Sequence, residues 1–316
     1  MRVSVVLCTH TLDRYDDLLE AAESVRAQTY DDVELVLVSD GDPAVADRYR
    51  EDFGDDEDVV VAELTRNCGL LRARNEGAKA ASGDVVAFVD DDAVADPAWV
   101  ERLVDAYETQ DVLAAGGKMT PEWVAGRPAF LPAEFYWLVG VTHRGFGPGG
   151  DCDVAGEVRN TFGSNISFRR ETFLELGGFD TDIGGRQGDA NLQGGETELC
   201  ARLHSEYDSG VYYDPEATVA HKVFDYRTDP KWLLDRAFWQ GYSKRGMEVL
   251  VEASTGEESD FLGSLLGTFL PERLRGLLAA PSREKASQLV MLCLLTAVVG
   301  AGYCYGLTRY PPRVIA

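Results

Sequence analysis

Four short runs of this chain, residues 3–8, 33–38, 59–64 and 85–89, are apolar at nearly every position and rich in β-branched side chains. A strand that hides only one face alternates polar with apolar residues. Continuous apolar runs therefore mean strands covered on both faces, as in a mostly parallel sheet clad in helices. The segments between them have helical patterning over 13–29, 44–53, 70–81 and 97–109, the last with Asp96 as N-cap and Pro97 at the first helical position. The expected class is α/β. Beyond residue 115 the pattern loosens into Gly, Pro and aromatic residues, among them Pro121, Pro128 and Pro132. Irregular stretches of this kind in an α/β fold usually form loops that complete a cleft.

The strongest chemical signal is the end of the fourth run, V-V-A-F-V-D-D-D at 85–92, a buried strand that delivers three carboxylates in a row. Ligands of open α/β sheets bind beyond the carboxyl ends of the strands, so these acids stand where a substrate arrives. Adjacent like charges are costly unless a cation neutralises them. A divalent ion held by one or two carboxylates and substrate phosphates, Mg²⁺ or Mn²⁺, fits that need. The second run also ends in acid and glycine, V-S-D-G-D at 38–42, and the first ends in Cys8-Thr9-His10 with Arg14 soon after.

Together with R-N-C-G-L-L-R-A-R-N-E-G at 66–77 and S-G-D at 82–84, these elements make the first 115 residues resemble the family 2 glycosyltransferases of the GT-A fold. The resemblance implies a Rossmann-like, mostly parallel sheet flanked by helices. It also implies that Thr9 and Asp40 contact the nucleotide base, that Asp90 and Asp91 face ribose and phosphates, and that Asp92 holds the metal. Arg14 is a further donor-binding candidate, and Arg72, with Arg74 and Asn75 on the helix after the glycine turn, would steady the diphosphate. Farther on, G-S-N-I-S-F-R-R at 163–170 and L-G-G-F-D at 176–180 resemble the family's acceptor-side segment. G-G-E-T-E-L at 194–199 is similar to its G-E-D-x-E-L pattern, with Gly195 for the usual glutamate and Glu196 for the aspartate that acts as base. An inverting sugar transfer needs a base to take the acceptor proton while the anomeric carbon passes through an oxocarbenium-like state. Glu196 is the candidate, Glu198 its substitute. His221 falls where family members place a histidine near the metal or diphosphate.

Residues 286–308 carry no charge and are flanked by Arg283, Lys285, Arg309 and Arg313, a length that matches a bilayer-spanning helix, although Gly300, Gly302 and Gly306 leave a re-entrant or core helix open. Residues 261–278, with leucines around Arg273 and Arg275, suit a helix lying in the membrane interface. The expected organisation is a nucleotide-sugar half over 1–115, an acceptor half over 116–250 and a membrane-associating segment over 251–316.

The chain has 54 acidic and 30 basic residues, a formal charge of −24, and six cysteines without C-x-x-C spacing. So acidic a chain argues against a nucleic-acid partner, and the cysteine usage points to a reduced, cytoplasmic catalytic domain. The resemblance extends to haloarchaeal enzymes that build dolichyl-phosphate-linked glycans for protein N-glycosylation. It implies a UDP-sugar donor, a hexuronate among the candidates, a dolichyl-phosphate-linked acceptor, and work at the cytoplasmic face of the cell membrane. Arg159, Arg169 and Arg186 are the cations open to a uronate carboxylate. A non-catalytic nucleotide-sugar binder and a nucleotidyltransferase are the competing readings.

Overall fold

The computed structural model describes residues 1–187, 190–251 and 257–311. The elements run β1 (Val3–Thr9), α1 (Tyr15–Arg26), β2 (Val33–Asp40), α2 (Pro43–Phe53), β3 (Val59–Leu64), α3 (Leu70–Ala80), β4 (Val85–Asp90), β5 (Ala93–Ala95), α4 (Trp99–Thr109), β6 (Ala114–Trp123), β7 (Gly156–Val158), β8 (Ile166–Arg169), α5 (Arg170–Glu175), β9 (Arg186–Gln187), β10 (Ala190–Asn191), α6 (Gly195–Tyr207), β11 (Val211–Val223), α7 (Pro230–Leu250), α8 (Glu257–Ser264), α9 (Leu270–Ala279) and α10 (Arg283–Arg309). They form two compact units. The first comprises residues 1–121, 153–184 and 195–222; the second comprises 122–152, 185–194 and 223–316.

The first unit is built on a nine-stranded sheet of order β3-β2-β1-β4-β8-β6-β11-β5, with β7 on β11. The four continuous apolar runs are its parallel half, β3, β2, β1 and β4. Val3, Val5, Val6 and Leu7 of β1 and Val85 to Phe88 of β4 are essentially inaccessible, as strands roofed on both sides require. The chain leaves β1 toward β2 on one side and returns through β3 and α3 to β4 on the other. The β1/β4 boundary is thus a topological switch point, with a crevice at the strands' carboxyl ends.

The remaining strands make the sheet mixed. β8 runs antiparallel to both β4 and β6, and β5 and β7 run antiparallel to β11. The region after residue 115, expected as loops, supplies these strands except β5 and the start of β6. β6 carries Gly116 and Gly117, at which a Cβ would press on the Asn165 and Ala217 carbonyls. Close backbone approach, not side-chain patterning, forms that strand. The fourth helix also begins later than expected, at Trp99. Asp96 instead accepts the Ala98 amide in a turn before it, and Ala98 occupies the cap position.

The S-G-D segment is a brace at the opposite, amino-terminal edge of the sheet. Buried Glu34 accepts hydrogen bonds from Ser4 Oγ (2.5 Å), Ser82 Oγ (2.6 Å) and the Ser82 amide (2.8 Å). Burial pushes its carboxyl up, but these three donors and Arg2 outweigh it and leave the pKa below the usual value.

In the second unit α7 and α10 pack along one another. α10 is one continuous helix of 27 residues with a mean hydropathy of 1.9 over its most apolar window. The three glycines do not break it: Gly302 and Gly306 are buried against α7, while Gly300 faces open space. Residues 261–278 form the end of α8, a π-helical turn at Leu265–Phe269, and α9. Arg313 lies outside the described residues.

Candidate active site

Every side chain of the site belongs to the first unit, and most sit at the carboxyl ends of β1, β2 and β4. β4 ends in Asp90, and the chain continues through Asp91 and Asp92 into β5, whose pairing with β11 brings Ala93 opposite His221. Among the described residues, single ligand atoms of Asp90, Asp92 and His221 all lie within 4.8 Å of one another. His221 Nε2 is 3.4 Å from an Asp92 oxygen, and both side chains are almost fully buried. Two carboxylate oxygens and an imidazole nitrogen are a donor set that a divalent cation accepts, and their separations are near the spread of ligands around one ion. The residues therefore fit a divalent metal, and Asp90 joins that group although the sequence had set it with the nucleotide.

Asp91 turns the other way. It accepts the Thr9 hydroxyl (2.6 Å) and one arm of Arg14 (3.4 Å), whose other arm reaches Asp92 at 3.1 Å. Burial raises its pKa despite Thr9 and Arg14, and the neighbouring aspartates add to the rise. Thr9, Arg14, Asp91 and Asp92 are thus one hydrogen-bonded group.

Asp40, at the end of β2, is buried and holds the loop that leads into α3. Its two oxygens accept the Cys68 and Gly69 amides at 2.7 and 2.9 Å. Gly41 makes this possible with φ near +83°, since a Cβ there would lie 1.9 Å from the Asn67 amide nitrogen. Cys8, Thr9, His10, Asp40, Asn67 and Gly69 line a cleft of about 310 Å³, a size suited to part of a nucleotide.

Sequence reasoning missed the part played by Arg74. The second and fourth residues after Leu70, Arg72 and Arg74, leave α3 in different directions. Arg72 is half exposed and pairs with Glu76 one turn on. Arg74 is buried, donates to Asp90 (2.6 Å) and to Glu196 (3.0 Å), and lies over the rings of Phe88 and Phe179 at 5.8 and 5.7 Å. One cation therefore connects the metal-type cluster to the candidate base. Neither its helical place nor its place in the glycine-turn motif pointed to Glu196, because that glutamate is 122 residues away. Gly163 lines the same junction. A Cβ there would fall 2.1 Å from Glu196 Oε1 and 2.6 Å from Arg74 Nη1, so only glycine lets the pair close.

Glu196 stands in the first turn of α6, where the helix dipole favours an anion, and its side chain is 26% exposed. Glu198 is instead gripped by both arms of Arg202 (2.5 and 2.6 Å), a cation that also donates to the Leu176 and Gly178 carbonyls. That engagement makes Glu198 a fixed support of the turn. Asn75 is likewise structural, donating to and accepting from the Phe179 backbone, both at 2.8 Å. At Gly195 a Cβ would meet the Leu71 side-chain methyl at 2.6 Å. Ser164 Oγ accepts the Asp90 amide at 2.9 Å and fixes the end of β4.

Of the three arginines considered for a uronate, Arg169 pairs in register with Val85, at the start of β4 and remote from Asp90, and donates to the Val112 and Tyr107 carbonyls. Arg159 donates to Asn160 Oδ1, which also accepts the hydroxyl of Thr197, the neighbour of Glu196. The Arg186 side chain is outside the described residues.

Residues 4–177 match the model of glycosyl transferase family 2. The chain belongs to glycosyl transferase family 2. Among family 2 relatives, it is 47% identical to the glucosyl-dolichyl phosphate glucuronosyltransferase of Haloferax volcanii over 97% of this chain and 96% of that protein. It is 36% identical to an uncharacterized glycosyltransferase of Nostoc over 36% of this chain and 35% of that one. Of solved structures, it resembles the mannosyltransferase PcManGT of Pyrobaculum calidifontis in complex with GDP-Man and Mn²⁺, with a TM-score of 0.57, 16% identity, and coverage of 97% and 87% of the two chains. It is also similar to S. aureus TarS 1-349 in complex with UDP-GlcNAc, with a TM-score of 0.56, 14% identity, and coverage of 98% and 89%. The fold is thus the GT-A fold of these glycosyltransferases. As a family 2 enzyme the protein is a glycosyltransferase, and the nucleotidyltransferase and binding-protein readings fall away.

Proposed function

We propose that this glycosyltransferase moves a hexuronate residue, such as glucuronate, from a UDP-sugar to a dolichyl-phosphate-linked sugar, with inversion, in the assembly of glycans for protein N-glycosylation. The single observation that carries the chemistry is the line Asp92–Asp90–Arg74–Glu196 at the switch point. The near-full-length likeness to the Haloferax volcanii enzyme supports the donor and acceptor classes.

In this reading Asp90, Asp92 and His221 hold Mg²⁺ or Mn²⁺, which when bound supplies positive charge beside the departing diphosphate. Thr9 and Asp40 face the base and ribose across the cleft, and Arg14 and Arg72 serve the phosphates. Glu196 takes the proton of the acceptor hydroxyl as that oxygen attacks the anomeric carbon opposite the diphosphate. Arg74 holds the Glu196 carboxylate in place through its 3.0 Å hydrogen bond. Arg159, tied through Asn160 to Thr197, is the candidate partner of the uronate carboxylate. The apolar C-terminal helices bring the enzyme to the cytoplasmic face of the membrane, where its lipid-linked acceptor resides.

The test is to incubate purified protein with Mn²⁺ or Mg²⁺, a panel of UDP- and GDP-sugars and dolichyl-phosphate-linked monosaccharides, and to weigh the lipid products. A hexuronate increment from the UDP donor is expected. Exclusive use of a GDP-sugar, or of neutral hexoses, would overturn the assignment. Glu196→Gln is expected to lower turnover by about 10²–10⁴-fold with donor affinity retained, and unchanged turnover would remove Glu196 as the base.

A further inference from the structure

The second unit presents a long apolar surface of its own. Leu266, Leu278 and Val290 are 59%, 81% and 67% exposed. Leu262, Leu274 and Leu294 continue the surface, and only 22% of the most apolar window of α10 is buried. A helix of 27 residues is about 40 Å long, enough to cross the ~30 Å hydrocarbon layer. Two observations argue against crossing.

First, α10 is bound along its length to α7. A Cβ at Gly241 would lie 1.9 Å from the Val299 carbonyl oxygen, and one at Gly302 would lie 1.9 Å from that of Phe238, so the two backbones touch. α7 carries Lys231, Asp235, Arg236, Lys244, Arg245 and Glu248. A spanning α10 would draw this charged helix into hydrocarbon, where each charge is costly. Second, both ends of α10 are tied by polar contacts to the same unit. Near its start Arg127 pairs with Glu284 and Gln288 donates to the Ala129 carbonyl; near its end Tyr303 donates to Glu248 and Arg245 to the Tyr310 carbonyl. A crossing helix would have to leave one set on the far side of the bilayer.

We infer that the surface of α9 and α10 docks on a lipid bilayer in the plane of one leaflet and that α10 does not traverse it. The occupant is a phospholipid surface, and charge supports that choice. In a strongly acidic chain, Arg273, Arg275, Arg283, Lys285 and Arg309 outnumber Glu272 and Glu284 over residues 261–311. Arg275, Arg283 and Arg309 are exposed beside the leucines, an arrangement that sets apolar side chains below the headgroups and cations at the lipid phosphates. This inference rests on the proposed work at a membrane and specifies how the enzyme sits there.

The experiment uses the full-length protein. Co-flotation with phosphatidylcholine vesicles containing anionic phospholipid is expected, and Leu278→Glu with Val290→Glu, both at exposed positions, should lower the bound fraction by about tenfold. For orientation, Ala280→Cys and Thr308→Cys are placed one at a time in a chain whose four less buried cysteines are serine. Sealed membrane vesicles from expressing cells, right-side-out and inside-out, are then treated with a membrane-impermeant maleimide. Labelling of both positions from the same side is expected, whereas labelling from opposite sides overturns the in-plane arrangement while leaving membrane attachment intact. Absence of flotation, or flotation unaffected by the glutamates, overturns docking through this surface, and the donor assay above still judges the proposed reaction separately.

Discussion

Arg74 is the residue on which the site's charges converge, since it lies almost wholly inside the protein between Asp90 and Glu196. Arg74→Met would keep most of the packing against Phe88 and Phe179 but remove the cation shared by two carboxylates. A loss of about 2–4 kcal/mol is expected, less than for a fully buried pair because both carboxylates are about a quarter exposed; chemical denaturation measures it, and an unchanged midpoint contradicts the bridging role. Asp92→Ala is expected to abolish Mn²⁺-dependent tightening of donor binding with the fold intact, and calorimetry showing wild-type affinity would remove Asp92 from the metal site. The acids themselves were legible because a buried strand that ends in D-D-D has few explanations. The directions in which they point were not. Asp91 bonds Thr9 and Arg14 while Asp90 turns toward Arg74, and such a choice is set by partners far along the chain.

At the level of elements, the parallel half of the sheet could be read from continuous apolar runs, because burial on both faces leaves a direct mark on the sequence. The antiparallel half left no such mark. β6 owes its course to Gly116 and Gly117, and β8 is only four residues long. The glycines of α10 illustrate the same limit. They looked like helix breakers, yet at Gly302 a Cβ would lie 1.9 Å from the Phe238 carbonyl oxygen of α7. Gly302→Val must part the two helices and is expected to destabilise the protein by about 1–3 kcal/mol, whereas Gly300→Ala, facing open space, should leave the thermal midpoint unchanged or slightly raised. Equal effects in a melting experiment would refute the close crossing.

For the molecule as a whole, a formal charge of −24 on 316 residues means self-repulsion that dissolved ions screen. The melting temperature is expected to climb by several degrees between about 0.1 and 2 M KCl, most steeply at the low end where the Debye length is longest; a flat profile in scanning calorimetry would show that repulsion is already offset within the fold. The loop secured by Asp40 has a bearing on recognition. Because the Cys68 and Gly69 amides are already anchored, an incoming nucleotide meets a finished wall and does not have to order a floppy one. Donor capture should then proceed with little loss of chain entropy and no slow rearrangement, and its speed should be governed by how often the donor reaches the cleft.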